Sequence, residues 1–174
     1  MYAVLYENNE LCLFSQPQLM QIINEQILEE YGYFCDTDDE FPWEENQPNI
    51  LKISIFGKIV MDDIYAFFEQ LNNVRCIDGL SNLNVSNCSD FSFLFNDCKN
   101  LLDTLYLGDW DFSNGESFDY IFSNCKNLKD IYLSDTFPQL TEDMFFNCNP
   151  NLKIHWKDKI YTYQDLIEYS IFEN

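Results

Sequence analysis

Between residues 91 and 128 the apolar positions return on a period too long for a helix or a strand. Phe91-x-x-Leu94-Phe95-x-x-Cys98-Lys99-Asn100-Leu101 recurs as Phe118-x-x-Ile121-Phe122-x-x-Cys125-Lys126-Asn127-Leu128, every matched pair separated by the same step. Ser86-Asn87 recurs at that step as Ser113-Asn114. A fixed period between about 20 and 50 residues marks a solenoid, in which each repeat buries its apolar face against its neighbours. Subtracting one period predicts an earlier, disguised copy at Ile64, Phe67, Phe68, Leu71 and Val74. A looser fourth copy is Thr141, Met144, Phe145, Cys148 and Leu152.

Between these phrases lie short strand-like triplets: Leu105-Tyr106-Leu107, Ile131-Tyr132-Leu133 and Ile154-His155-Trp156. Side chains alternate along a strand, so the outer members of each triplet point into the core and Tyr106, Tyr132 and His155 point out. The constant period puts Ile53 and Leu80 in the column of Leu107 and Leu133. Ile50 to Phe56 reads as a half-buried strand, and Met61 to Leu71 as a short helix.

The flanks read as caps. Met1 to Glu7 and Leu11 to Phe14 suit two strands around an Asn8-Asn9 turn. Pro17 then opens a predicted helix whose apolar stripe is Leu19, Met20, Ile23, Ile27 and Leu28, stopped by Gly32. Cys35 to Asn49 is acidic, holds two prolines and lacks periodicity, so it reads as a loop. Ile160-Tyr161 can pair back on Ile154 to Trp156, and Thr162-x-x-Asp165 reads as a helix N-cap. The chain is one continuous domain in three parts: residues 1–49 as cap and acidic loop, 50–156 as solenoid, 157–174 as C-terminal cap.

Net charge of −21 from 30 acids and 9 bases changes the functional picture. It opposes direct binding to nucleic acid or an anionic membrane and favours a basic protein surface. Residues 1–51 carry no Lys or Arg. The N-terminus lacks the basic and apolar regions of a secretory signal, and no apolar run reaches membrane-spanning length. The seven cysteines include no C-x-x-C pair and read as reduced thiols in a cytoplasmic protein.

Little in the chain suggests catalysis. One histidine cannot form a histidine metal cluster, Gly57-Lys58 lacks the upstream glycine of a phosphate loop, and the Asp36 to Glu40 run does not match the EF-hand. The expectation is therefore no enzyme, no metal and no cofactor.

Asp111-Phe112-Ser113-Asn114, Phe122-x-x-Cys125-x-x-Leu128 and Leu105-Tyr106-Leu107 resemble the leucine-rich repeats of the bacterial surface-antigen (BspA-like) type over about residues 50–156. The resemblance implies an α/β repeat: a right-handed leucine-rich-repeat solenoid that binds proteins, here with a hairpin and helix at each end as caps. Family members are often secreted.

Two surfaces are candidate partner sites. One is the outward column Tyr106, Tyr132 and His155, with Asp103 and Asp130 matched at the full repeat step and Asp109 and Asp135 at one place less. The other is the acidic loop, with Asp38, Asp39, Glu40, Glu44 and Glu45 around Trp43. Tyr supplies apolar contact and hydrogen bonds while carboxylates pair with guanidinium. The expected function is an intracellular inhibitor that docks on a basic, nucleic-acid-binding protein, such as a nucleic-acid-guided nuclease. This is the manner of a phage-encoded anti-defence (anti-CRISPR) protein working in the host cytoplasm. The alternative is a bacterial cell-surface repeat protein that mediates adhesion or host-protein binding.

Overall fold

A computed structural model describes residues 1–16, 18, 27–33, 41 and 43–166, with backbone alone at 27–33 and 103. The chain winds into a β-solenoid of about four turns with little helix. Its strands are β1 (Tyr2–Tyr6), β2 (Glu10–Phe14), β3 (Ile27–Tyr33), β4 (Lys52–Phe56), β5 (Ile59–Val60), β6 (Cys76–Asp78), β7 (Leu83–Asn84), β8 (Asp103–Leu107), β9 (Leu128–Leu133), β10 (Lys153–Trp156) and β11 (Lys159–Thr162).

β1 and β2 form an antiparallel hairpin, its turn closed by the Asn9 N–H donating to the Tyr6 carbonyl at 2.9 Å. Asn9 takes the left-handed conformation (φ 63°) that Asn tolerates. β2 then pairs in parallel with β4, and β4 with β6. A second parallel run, β8–β9–β10, ends in β11, which folds back antiparallel across Lys157-Asp158. Both turn residues have positive φ, as a type I′ hairpin turn requires. Thr162 and Asp165 bond reciprocally at the start of the one-turn helix 163–166, and the amide and hydroxyl of Thr162 hold the Asp165 carboxyl below its usual range.

The interior is an aromatic spine. Phe68, Phe95, Phe122 and Phe145 are all fully buried and stack in sequence, with ring centroids 5.4, 5.8 and 5.3 Å apart. Beside the spine the cysteines form a ladder. The Cys98, Cys125 and Cys148 thiols donate to the carbonyls of Phe68, Phe95 and Phe122, each one coil earlier, at 3.0, 3.2 and 2.9 Å. The six described cysteines are free thiols. Burial pushes Cys98 and Cys148 up to about 12 and Cys125 well above the ordinary thiol range. The Asn of each Lys-Asn-Leu phrase bonds backward too: Asn100 and Asn127 donate to the carbonyls of Asn72 and Lys99 at 2.9 and 2.8 Å. These bonds give the repeated polar letters a structural purpose, since each ties a turn carbonyl of one coil to the next coil.

Several expectations change. Residues 61–71 are turns, not a helix. The N–H groups of Ala66, Phe68 and Gln70 donate to Ser92, Leu94 and Asn96 in the next coil, whereas a helix would keep those bonds to itself. Ile27 to Gly32 lie in β3, which pairs antiparallel with β1, so the helical reading of that stretch fails there. The sheet partner outweighs the local apolar spacing. Leu19, Met20 and Ile23 lie outside the described residues. Ile53 pairs with Ile77, three places short of Leu80. The step widens to the full repeat only past Val85, where coil two carries the Ser86-Asn87-Cys88 turn.

The outward face of the first sheet carries a charge ladder. Lys52 bridges Glu10 and Asp78 at 3.1 Å each, and the Ser54 hydroxyl donates to Glu10. Burial pushes the Glu10 carboxyl up, but the hydrogen bonds from Ser54 and Lys52 outweigh it and hold it below its ordinary 4.5. A carboxyl lowered on folding adds stability above its unfolded pKa, and that stability is lost as pH falls through the folded value. Glu10→Gln is therefore expected to destabilise the protein by about 1 kcal/mol at pH 7, given the partial exposure of Lys52. The deficit should shrink toward pH 3. Thermal melts of both proteins across pH 3 to 7 check this, and parallel profiles would remove Glu10 from the acid response.

Candidate functional site: the outward aromatic stripe

Strand register brings three of the candidate residues into one row. Tyr106 lies opposite Tyr132, and Tyr132 opposite His155. Their flanking partners Leu105, Leu107, Ile131, Leu133 and Ile154 are buried, so alternation forces the middle side chains outward. The Tyr106 and Tyr132 rings lie 5.9 Å apart at 39°, and His155 stacks on Tyr132 at 4.0 Å and 9°. Tyr106 is 52% exposed. Toward β10 the stripe becomes half-buried, where His155 Nε2 sits 2.8 Å from Asp130 Oδ1. This contact fixes the imidazole edge-on to the acid and leaves its ring face on the tyrosine.

The acids around the stripe divide. Asp109 and Asp135 are exposed just beyond the ends of β8 and β9. Asp130 lies opposite Thr104, because the β8–β9 register runs one place short of the full repeat, and past the irregularity in β9 Asp103 lies opposite Leu128. Asp103 and Asp130, matched at the full repeat step, are therefore not opposite each other, and the extra β9 residue sets them one place further apart. At the β10 end Lys157 Nζ lies 3.9 Å above the Trp156 ring. A shallow groove there is lined by Tyr132, Asp135, His155, Lys157, Asp158 and Ile160.

The second candidate surface is not one unit. Trp43 is buried, stacked on Phe41 at 5.3 Å and edge-on to Phe67 at 5.5 Å. It is a core side chain, not an exposed anchor. An indole among acids is equally well explained by the adjoining hydrophobic coil, and sequence alone does not separate the two roles. Glu44 and Glu45 are exposed in a 3-10 turn, Glu44–Asn49, rather than an irregular loop. Asp36, Asp38, Asp39 and Glu40 lie outside the described residues.

A further row escaped the sequence reading. Tyr65, Phe93 and Tyr120 stand on the turn segments of three successive coils, with ring centroids 5.9 and 5.4 Å apart. The signal was present as Phe93 and Tyr120, one full repeat apart inside the recurring phrase.

Among the described residues no three His, Cys, Asp or Glu side chains converge as a metal site, and no helix is long and apolar enough to cross a membrane. No family model, curated protein or solved structure matches this chain.

Proposed function

We propose that this protein is an acidic repeat scaffold that binds a basic protein surface through Tyr106, Tyr132 and His155, with Asp109, Asp130 and Asp135 beside them. The observation that carries this reading is the row of three outward rings on adjacent strands, tilted between Tyr106 and Tyr132, stacked between Tyr132 and His155, and open to solvent at Tyr106. Stacked rings already ordered by the sheet lose little side-chain freedom on docking, which favours them as binding anchors. The surrounding charge selects the partner class: a chain at −21 attracts surfaces rich in Arg and Lys. Proteins that bind nucleic acid present such surfaces, so the partner is a basic nucleic-acid-binding protein, and occupation of its channel inhibits it. An anti-defence protein acting on a guided nuclease in a host cytoplasm fits this reading.

The finer architecture belongs to the same proposal. The buried Cys-x-x-Leu positions support leucine-rich repeats of the surface-antigen type. The β1–β2 hairpin and the β10–β11 hairpin with its capped turn would close the two ends.

Affinity capture from the native host's lysate, read by mass spectrometry, tests the function. The expected result is one basic nucleic-acid-binding protein, displaced by excess nucleic acid and by raised salt. Salt acts because exposed charges are screened within about 8 Å at physiological ionic strength. Capture should fall at least about ten-fold with Tyr106→Ala/Tyr132→Ala, whose melting temperature should stay close to that of the parent, since truncation of central aromatics commonly costs about 2 kcal/mol or more. A captured partner indifferent to salt, to nucleic acid and to the double substitution overturns the reading.

A further inference from the structure

Two of the three turn-face rings sit on a backbone that their side chains do not suit, the left-handed position of the first coil being Ala66 rather than Tyr65. Phe93 and Tyr120 have φ of 59° and 55°, in the left-handed region. Further along each turn, a second left-handed column holds Gln70, Asp97, Asn124 and, in the last coil, Asn147. There the chain mostly uses Asp and Asn, the residues with Cβ that tolerate this conformation best. At the aromatic row it places bulky rings that Asn would relieve, a form of strain that clusters at binding sites. The rings are not hidden in compensation: Tyr65 is 47% and Tyr120 41% exposed, with Phe93 half-buried between them.

Charge on this face is mainly acidic, with Lys99 and Lys126 at its edge and Lys99 paired with Asp97 at 3.2 Å. Residues 61–71, 88–98 and 115–125 hold Asp62, Asp63, Glu69, Asp90, Asp97, Glu116 and Asp119, and no Lys or Arg. Asp63 and Asp90 lead directly into the row, their carboxylates accepting the N–H groups of Tyr65 and Ser92 at 2.8 Å each. The row lies about half a coil along the chain from Tyr106 and Tyr132, so it is a separate surface.

We propose that Tyr65, Phe93 and Tyr120 form a docking ridge for an arginine-bearing protein segment, its guanidinium groups lying on the rings and pairing with the neighbouring carboxylates. Arginine fits better than lysine because its flat, weakly hydrated cation stacks on a ring while its N–H groups still reach acids at the rim. The ridge does not depend on the strand-face reading.

Hexa-arginine and hexa-lysine peptides of equal charge, titrated by fluorescence anisotropy at physiological salt, provide the test. Net charge alone gives the two similar affinities; ring stacking gives hexa-arginine an advantage of about ten-fold. Phe93→Asn/Tyr120→Asn should abolish that advantage while the melting temperature holds or rises. Phe93→Leu/Tyr120→Leu, which keeps apolar bulk without a ring face, should abolish it as well. Tyr106→Ala/Tyr132→Ala should leave it intact. Equal affinities in the parent, or an advantage that survives in both ridge variants, overturn the proposal. An advantage lost only with Tyr106→Ala/Tyr132→Ala also overturns it and assigns arginine recognition to the strand stripe.

Discussion

Phe122→Ala is expected to lower the unfolding free energy by about 3–5 kcal/mol. The ring is fully buried and lies between Phe95 at 5.8 Å and Phe145 at 5.3 Å, near-parallel to both. Deletion leaves a ring-sized void inside the spine and breaks two aromatic contacts, each worth about 0.5–1.5 kcal/mol beyond area burial. Neighbouring coils cannot close the gap, because the ladder bonds on either side fix their spacing. The Phe122 carbonyl still accepts from Cys148, so the backbone stays in register while the void persists. In a solenoid stability is a sum over coils and their interfaces. Phe145→Ala should therefore cost less, since only one spine ring, Phe122, stacks on it. Urea denaturation of Phe122→Ala, Phe122→Leu and Phe145→Ala checks the order, with Phe122→Leu closest to the parent. A Phe122→Ala protein with an unchanged midpoint would mean that the spine does not hold the coils together.

The spine was readable because its letters recur with one step. Phe95 and Phe122 stand one full repeat apart, and the ladder bonds tie that step to the carbonyl column it serves. The outward stripe was readable for a related reason, since alternation in a strand needs only local sequence. What was not readable lies where the step changes. The step from β4 to β6, Ile53 to Ile77, is three places shorter than the one from Ala66 to Phe93 on the turn side, so a constant offset misplaced Leu80. The step from β8 to β9, one place short of the full repeat, likewise separated Asp103 from Asp130, and the extra residue in β9 added one place more. The turn segments were misread as helical because an apolar pair followed by a third residue three places on suits a helix as well as a corner. The left-handed residues that make the corner, Ala66, Phe93 and Tyr120, carry no glycine signal. Trp43 failed differently. Glu40, Glu44 and Glu45 surround it in sequence, but its ring packs on Phe41 and Phe67, and only the fold brings Phe67 to it.

Gly79 shows the same changing step as an energetic constraint, and Gly79→Ala is the second large effect expected. Coil two leaves β6 through this residue at φ 82° and enters the 3-10 turn Leu80–Asn82. A Cβ there would lie 2.4 Å from the Ile55 carbonyl oxygen, a backbone atom of β4 that cannot rotate aside. That oxygen is also the acceptor for Asn82 Nδ2 at 2.8 Å, so moving it away loses a hydrogen bond between coils. The left-handed conformation costs a residue with a Cβ about 1–2 kcal/mol, and a lost hydrogen bond about 1 kcal/mol. Against this, alanine restricts the unfolded chain and returns about 0.4–1 kcal/mol. The net expectation, with the clash included, is a loss of about 2–3 kcal/mol. Gly79→Asn separates the causes. Asn accepts the backbone conformation but still carries a Cβ, so it should recover little if the clash dominates. Denaturation midpoints for both variants decide the matter: recovery with Asn assigns the cost to conformation alone, and two unaffected midpoints would show that coil two does not press on β4 at this point.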